Sequence, residues 1–100
     1  MVIYCFMFEA IPKIDNPERD EFAGAYVTCW VNSTAPNSAL TSATAYINDE
    51  GWEVMKVEDQ FIASREQYEG DDELAETLEC FDQAVNYGIA AIFHTWTLDD

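Results

Sequence analysis

The chain has 100 residues, of which 20 are Asp or Glu and 4 are Lys or Arg, so its formal net charge is −16. This charge argues against direct binding to DNA, RNA or anionic membranes, because phosphate groups are bound through Lys and Arg. The hydrophobic fraction of 49% is too high for a disordered acidic tail, and the length predicts one domain over residues 1–100.

The first half of the chain predicts two strands and one helix. Residues 2–11 are mostly β-formers with apolar side chains on both faces, which is typical of a central strand. A polar loop leads into a second strand over residues 22–32, and small side chains on one of its faces leave room for a helix. Pro36 suits the first turn of the following helix, and Gly51 fits just past its end.

The second half predicts a strand, a helix and a last strand. Residues 52–59 alternate as a third strand, which Phe61 and Ile62 extend past a bulge. Ser64 and Gln67 have the spacing of a capping box and indicate a short turn. Residues 89–98 form the last strand and are apolar on both faces.

The second helix has the clearest pattern in the chain. It follows Asp71 and ends at Gly88, and acidic residues crowd its first turn, where the helix dipole favours them. Ala84 lies beside its apolar stripe. The stripe consists of Leu74, Leu78, Phe81 and Val85.

The order ββαβαβ predicts an α+β fold. Strand–helix–strand crossovers between parallel strands are right-handed, so we expect both helices on the same face of the sheet. The expected architecture is a two-layer sandwich, in which a four-stranded mixed sheet carries two helices on one face.

Three widely spaced cysteines, Cys5, Cys29 and Cys80, accompany a single histidine, His94. An odd number without a Cys-x-x-Cys pair gives little support to a disulfide framework or a zinc site. Reduced, buried thiols are typical of a cytoplasmic protein, and the first residues lack the basic start and cleavage site of a signal peptide. We therefore expect a cytoplasmic protein with no cofactor and no bound metal ion.

Charge is distributed unevenly along the chain. Residues 49–82 contain 13 acids against Lys56 and Arg65, and acids three or four apart form a row on the second helix. One interpretation is a solvated face that keeps the protein soluble. The functional interpretation is a negative surface that steers and binds a basic partner protein. Its candidate partner-binding residues are Glu66, Glu69, Asp71, Asp72, Glu73, Glu76, Glu79 and Asp82.

Residues 22–48 contain no charged side chain. An uncharged helix surface with small residues permits close packing against another protein, so a homodimer through the first helix is a second expectation. The alternative is that loops of the same chain cover part of this helix. The candidate self-association residues are Asn37, Ser38, Thr41, Ser42, Ala45 and Asn48.

Catalytic motifs are lacking in the sequence, which has no Gly-rich phosphate loop, no Gly-x-Ser-x-Gly and no His-Glu-x-x-His. We assign no catalytic residue and favour a non-enzymatic protein, since a Cys–His pair needs a cysteine beside His94. The three tryptophans, with Tyr4 and Tyr26, either fill the core or line a sheet face that the helices leave uncovered. The alternative ligand face consists of Trp30, His94, Trp96 and Glu9.

In size and charge the chain resembles bacterial immunity proteins, phage anti-restriction and anti-CRISPR proteins, and DNA mimics. We expect a non-enzymatic interaction protein that docks on and occludes a basic surface of a toxin or a nucleic-acid-binding protein. One alternative is a small-ligand-binding or enzymatic domain that uses the aromatic sheet face around His94. Another is a regulatory subunit that associates through the uncharged first helix.

Overall fold

The computed structural model describes residues 2–98, and its elements follow the predicted ββαβαβ order. Short 3-10 turns occupy Pro17–Asp20, Arg65–Gln67 and Asp72–Leu74. The α+β class, the four strands and the two helices are confirmed. In chain order the elements are β1 (Val2–Pro12), β2 (Phe22–Ser33), α1 (Pro36–Asp49), β3 (Trp52–Ala63), α2 (Ala75–Tyr87) and β4 (Ile89–Thr97).

The four strands form one antiparallel sheet in the order β3-β1-β2-β4. The central place of β1 explains why both of its faces are apolar. The predicted mixed sheet is wrong. Helix α1 joins β2 to β3, which run in the same direction, but β1 lies between them. Helix α2 joins the two edge strands, which run in opposite directions. Neither helix connection therefore places two parallel strands side by side.

The two helices pack on opposite faces of the sheet. Helix α1 buries Ala43 and Ile47 in a cluster with Phe6, and α2 buries Phe81 in a separate cluster with Cys5. Successive strand residues point to opposite faces, so Cys5 and Phe6 lie in different layers. We call these the α1 face and the α2 face.

The expectation of two layers with both helices on one face is therefore wrong, and the structure has three layers. The crossover rule applies to parallel strands, and α2 connects antiparallel ones. Apolar side chains on both faces of the central strands also need cover on both sides.

Close packing of α1 follows from small residues on both partners. Ala39 and Ala43 of the helix lie in one buried cluster with Ala25 and Cys29 of β2, and all four are 0% exposed. This confirms that the small face of β2 accommodates a helix.

Helix α2 and the loop before it cover only part of the α2 face. Tyr68 and Phe81 lie over Cys5 and Trp30, whereas Tyr26 remains 52% exposed on the same face. The predicted stripe of α2 is wrong at Val85, which is 48% exposed. The helix turns Phe81 and Ala84 towards the sheet, and Val85 lies at the margin of that contact.

Candidate functional site

The eight predicted partner-binding acids lie in the loop after β3 and on α2, and we call them together the acidic surface. Seven of them are exposed, and Asp82 is half-buried. Arg65 is the one basic residue between positions 64 and 82. The row expected from helical spacing thus continues into the loop and forms a single negative stretch of surface.

Arg65 pins this loop to α2. Its Nε lies 3.1 Å from Oδ1 of Asp82, and its Nη2 donates to Oδ2 of the same carboxylate at 3.3 Å. A second contact of 3.3 Å joins Nη1 to Oε1 of Glu69. The hydrogen bonds to Asp82 raise the pKa of the Arg65 guanidinium. Two of the eight acids therefore serve to hold the loop in place.

Asp71 also has a structural role, because its Oδ1 accepts a hydrogen bond of 3.0 Å from the backbone N–H of Glu73. This is the side-chain cap of the turn that opens α2. The remaining acids of the acidic surface direct their carboxylates to solvent. These residues are Glu66, Asp72, Glu73, Glu76 and Glu79.

A second group of acids lies at the opposite end of the sheet, around the β1–β2 loop and the turn between α1 and β3. Asn16 joins these two segments, since its Nδ2 donates to the Gly51 carbonyl at 2.7 Å and its Oδ1 accepts from the Glu18 N–H at 2.8 Å. Most carboxylates of the described residues thus belong to one of two groups, and Glu9, Glu58 and Asp59 lie on β1 and β3 between them. The second group consists of Asp15, Glu18, Asp20, Glu21, Asp49, Glu50 and Glu53.

The outer side of α1 carries no charge from Pro36 to Asn48, as the sequence indicates, and loops of the chain do not cover it, whereas the exposed Asp49 follows in its last turn. The six candidate self-association residues are all exposed: Asn37, Ser38, Thr41, Ser42, Ala45 and Asn48.

The four residues of the alternative ligand face project from the α2 face, but they do not form one platform. Trp30 is 1% exposed beneath Tyr68, whereas His94 is exposed and Glu9 and Trp96 are half-buried. In the strand register Glu9 lies opposite Tyr26, and Tyr26 lies opposite His94.

A shared platform of all three tryptophans with Tyr4 and Tyr26 is wrong. Trp52 and Tyr4 belong to the α1 face, where the Trp52 ring lies 6.0 Å from that of Phe93. Only Tyr26 and Trp96 meet on the uncovered sheet, with ring centroids 4.9 Å apart.

Gly24 explains how Trp96 lies flat on the sheet. A Cβ atom at Gly24 would be 2.4 Å from Cζ2 of Trp96, so only glycine leaves space for the indole in this position. Trp96 and Gly24 are paired across β4 and β2. A glycine directly across from an aromatic residue could have indicated this contact. The sequence does not show which residues face each other until the strand register is known.

The uncovered half of the α2 face combines apolar and polar side chains, and we call it the open sheet face. Met7 and Ile11, which we did not predict as site residues, are 40% and 39% exposed there. Their alternation with Glu9 in β1 was a signal that this face is only partly covered. The open sheet face consists of Met7, Glu9, Ile11, Tyr26, His94 and Trp96.

A hollow of about 270 Å³ lies where α2 meets the open sheet face. Thr77 of α2 lines it together with Met7, Trp30 and His94. Because Thr77 directly follows Glu76, the acidic surface and the open sheet face adjoin at this hollow.

The cysteines are poorly arranged for nucleophilic catalysis. Cys29 lies on the α1 face, opposite to that of His94. Cys5 shares the face of His94, but it lies on β1, two strands away from β4. In the strand register Cys5 lies opposite Trp30 and Trp30 lies opposite Ala90, which is four residues from His94. Burial raises the pKa of both thiols to about 12, so they are protonated at neutral pH.

Cys80 on α2 is half-buried, and its thiol pKa is raised by burial and by Glu76 and Glu79. Within residues 2–98, no group of three or more His, Cys, Asp or Glu side chains is placed to hold a metal ion. In the same described part, neither helix is long and apolar enough to cross a membrane.

No protein-family model matches this chain, and neither a curated protein nor a solved structure matches it.

Proposed function

We propose that this chain is a non-enzymatic interaction protein that docks on a basic surface of a partner protein and occludes it. The observation that carries the proposal is that Thr77, the residue after Glu76 of the acidic surface, lines a hollow with Met7 and His94 of the open sheet face. Protein interfaces combine an apolar, aromatic centre with a polar rim, and Tyr, Trp and Met are enriched in that centre. Tyr26, Trp96 and Met7 supply such residues beside the carboxylates of α2.

The proposed mechanism is occlusion by charge mimicry. The partner is a toxin or a nucleic-acid-binding protein whose basic surface binds the phosphate groups of its ligand. Carboxylates of the acidic surface take the places of those phosphate groups. Long-range attraction speeds the encounter, and burial of Tyr26 and Trp96 then slows dissociation. The contacts of Arg65 with Glu69 and Asp82 favour one arrangement of the loop, which reduces the entropy lost on binding.

The cytoplasm is the proposed location. Cys5 and Cys29 are buried as free thiols on opposite faces of the sheet, and Cys80 is also free, which suits a reducing compartment.

Affinity capture with matched variants tests the proposal. The wild-type chain, the double variant Glu76→Lys/Glu79→Lys and the control Asp15→Lys/Glu18→Lys are immobilised and exposed to lysate of the source organism. Both variants change the net charge equally, but the control alters the other end of the sheet. We expect one basic protein to be retained by the wild type and the control and lost by the Glu76/Glu79 variant.

Equal loss on both variants would show non-specific attraction to a polyanion and contradict the proposal. Retention by all three chains would show that the acidic surface is not involved.

A further inference from the structure

Two threonines lie in the layer between the sheet and α2, where the neighbouring side chains are mostly apolar or aromatic. Thr28 of β2 lies opposite Met7 of β1 and Ile92 of β4, so its side chain is central on the α2 face. Thr77 comes four residues before Phe81 and projects from the same sheet-facing side of α2. Both threonines line the hollow of about 270 Å³. Polar residues at two such positions depart from the packing pattern of this layer, as is typical of functional sites.

The bottom of this hollow is closed by buried side chains. Cys5 and Trp30 lie opposite each other in the strand register, in the row of the sheet next to Thr28. Both are buried, and both line the hollow. Phe61 of β3 lies opposite Cys5 and extends the aromatic lining. The bottom of the hollow thus belongs to the packed core of the α2 face.

Tyr68 forms a fixed wall of the hollow. Its hydroxyl accepts the hydrogen bond of 3.2 Å from Nε1 of Trp30, and its ring packs on Phe81 with centroids 5.9 Å apart. These contacts hold the ring in place from two sides. The hollow is therefore preformed, as sites for small molecules usually are.

The hollow has the size and the lining of a site for a small aromatic molecule. A cavity of about 150 Å³ in another protein holds benzene, so about 270 Å³ gives room for two fused rings. Small-molecule sites combine apolar and aromatic walls with a few polar groups that fix the orientation of the ligand. Thr28, Thr77 and His94 supply the polar groups here, and each can accept a hydrogen bond.

The charges around the hollow favour a neutral ligand. Of the described residues that line it, none is an Asp, Glu, Lys or Arg. Carboxylates stand next to the lining, since Asp59 lies opposite Met7 and Glu76 precedes Thr77. An anion would meet these carboxylates on a chain of net charge −16. A cation would lose water in the hollow without a carboxylate in the lining to pair with it.

We propose that this hollow binds a neutral, planar aromatic molecule of about two fused rings that carries one hydrogen-bond donor. The rings of Trp30, Phe61 and Tyr68 supply the aromatic contacts. A threonine hydroxyl or the imidazole of His94 accepts from the donor of the ligand. The site does not use the acidic surface, so it goes beyond the proposed function and does not depend on it.

NMR titration of the chain alone with indole tests the proposal. Indole should cause saturable shifts of the Trp30 Nε1–H and of the Thr77 and Ile92 amides, with a Kd of about 1 mM or below. Indole-3-acetate has the same ring system and adds a carboxylate. It should bind at least about tenfold more weakly, because the carboxylates around the hollow repel it.

Matched variants locate the site. Thr77→Leu places a larger apolar side chain in the hollow, so it should weaken indole binding at least about tenfold. Urea unfolding should show that this variant is folded and no less stable than the wild type, because leucine suits a sheet-facing position of a helix. Thr77→Ser keeps the hydroxyl and should bind indole like the wild type. Thr41→Leu makes the first exchange on the exposed side of α1 and should leave binding unchanged.

Failure of indole to cause saturable shifts up to about 10 mM would overturn the proposal. So would shifts confined to Tyr26 and Trp96, or a folded Thr77→Leu variant that binds indole as tightly as the wild type. Equal binding of indole and indole-3-acetate would overturn the preference for a neutral ligand. These results concern the hollow in the isolated chain, so they leave the proposed docking through the acidic surface to its own test.

Discussion

The indole Nε1 of Trp30 donates a hydrogen bond of 3.2 Å to the hydroxyl of Tyr68, and the two rings meet edge to face with centroids 6.3 Å apart. Trp30 belongs to the central strand β2, whereas Tyr68 belongs to the loop between β3 and α2. Tyr68 also packs on Phe81 of α2 at 5.9 Å. One tyrosine therefore fastens both the loop and the helix of the acidic surface to the sheet.

Replacing Tyr68 by Phe tests this attachment. The variant keeps the ring but leaves the buried indole N–H of Trp30 without its partner, which should lower the free energy of unfolding by about 1–3 kcal/mol. Urea unfolding measures the change. Tyr87→Phe is the matched control, because Tyr87 is 83% exposed and its variant should unfold like the wild type. Equal stability of both variants would show that the hydrogen bond contributes nothing.

The contact of Trp96 with Gly24 predicts a specific coupling. Gly24→Ala should push the indole off the sheet and remove the nuclear Overhauser contacts between Trp96 and Tyr26, at a cost of about 1 kcal/mol. In a double-mutant cycle, Gly24→Ala should lower the free energy of unfolding less in the Trp96→Leu background than in the wild type, because the flexible leucine can move aside. An alanine that costs the same in both backgrounds would contradict the close packing seen at Gly24.

The buried thiols predict a loss of stability in alkali. Burial raises the pKa of Cys5 and Cys29 from 9.0 to about 12 in the folded chain. Above pH 9 the thiols ionise in the unfolded chain and stay protonated in the folded one, so deprotonation favours unfolding. The free energy of unfolding should fall up to pH 12, by up to about 1.4 kcal/mol per pH unit for each thiol.

Urea titrations at pH 8, 9 and 10 under reducing conditions measure this slope before most tyrosines ionise. The pKa of Tyr46 and Tyr68 is also raised from 10.0, mainly by burial, so they begin to add to the slope near pH 10, and the interval from pH 8 to 9 reports mainly the thiols. Cys29→Ala lowers stability at every pH but should reduce the slope by about a third to a half, because Cys5 and, to a smaller extent, Cys80 still contribute. An unchanged slope would show that Cys29 does not ionise on unfolding.

Repulsion on α2 predicts that one charge reversal stabilises the fold. Glu79 lies three residues from both Glu76 and Asp82, so Glu79→Lys replaces two repulsions with two attractions. The free energy of unfolding should rise by about 0.5 kcal/mol at low salt and by less at high salt. If the substitution instead lowers the free energy of unfolding at both low and high salt, the carboxylates of Glu76, Glu79 and Asp82 do not destabilise the fold by repelling one another.

Local signals in the sequence located the helices and strands well. Pro36, Gly51 and Gly88 bound the helices as expected, and the capping box at Ser64 is present, with the Gln67 side chain accepting from the Ser64 N–H at 2.7 Å. Apolar residues on both faces of β1 correctly indicated a central strand. These features depend on neighbours within a few residues, which a sequence shows directly.

Strand partners and sheet faces depend on contacts between distant residues, and there the predictions failed. The alternation in β1 sets Cys5 and Phe6 on different faces, and this already implied that each face of the sheet is covered. The crossover rule, however, suggested that both helices lie on one face. Irregular register between β1 and β3 also changes which side chains of β3 share a face. For this reason the sequence did not separate Trp52, which is buried on the α1 face, from Trp96, which lies on the open sheet face.

The most direct test of the central claim is the association rate constant with the captured basic partner, measured against salt for three chains. The wild type and the Asp15→Lys/Glu18→Lys control should bind fast at about 20 mM NaCl and more than tenfold slower at about 500 mM. Glu76→Lys/Glu79→Lys should already be slow at low salt and respond weakly to added salt. Rates that are equal for all three chains, or that do not change with salt, would contradict docking through the acidic surface.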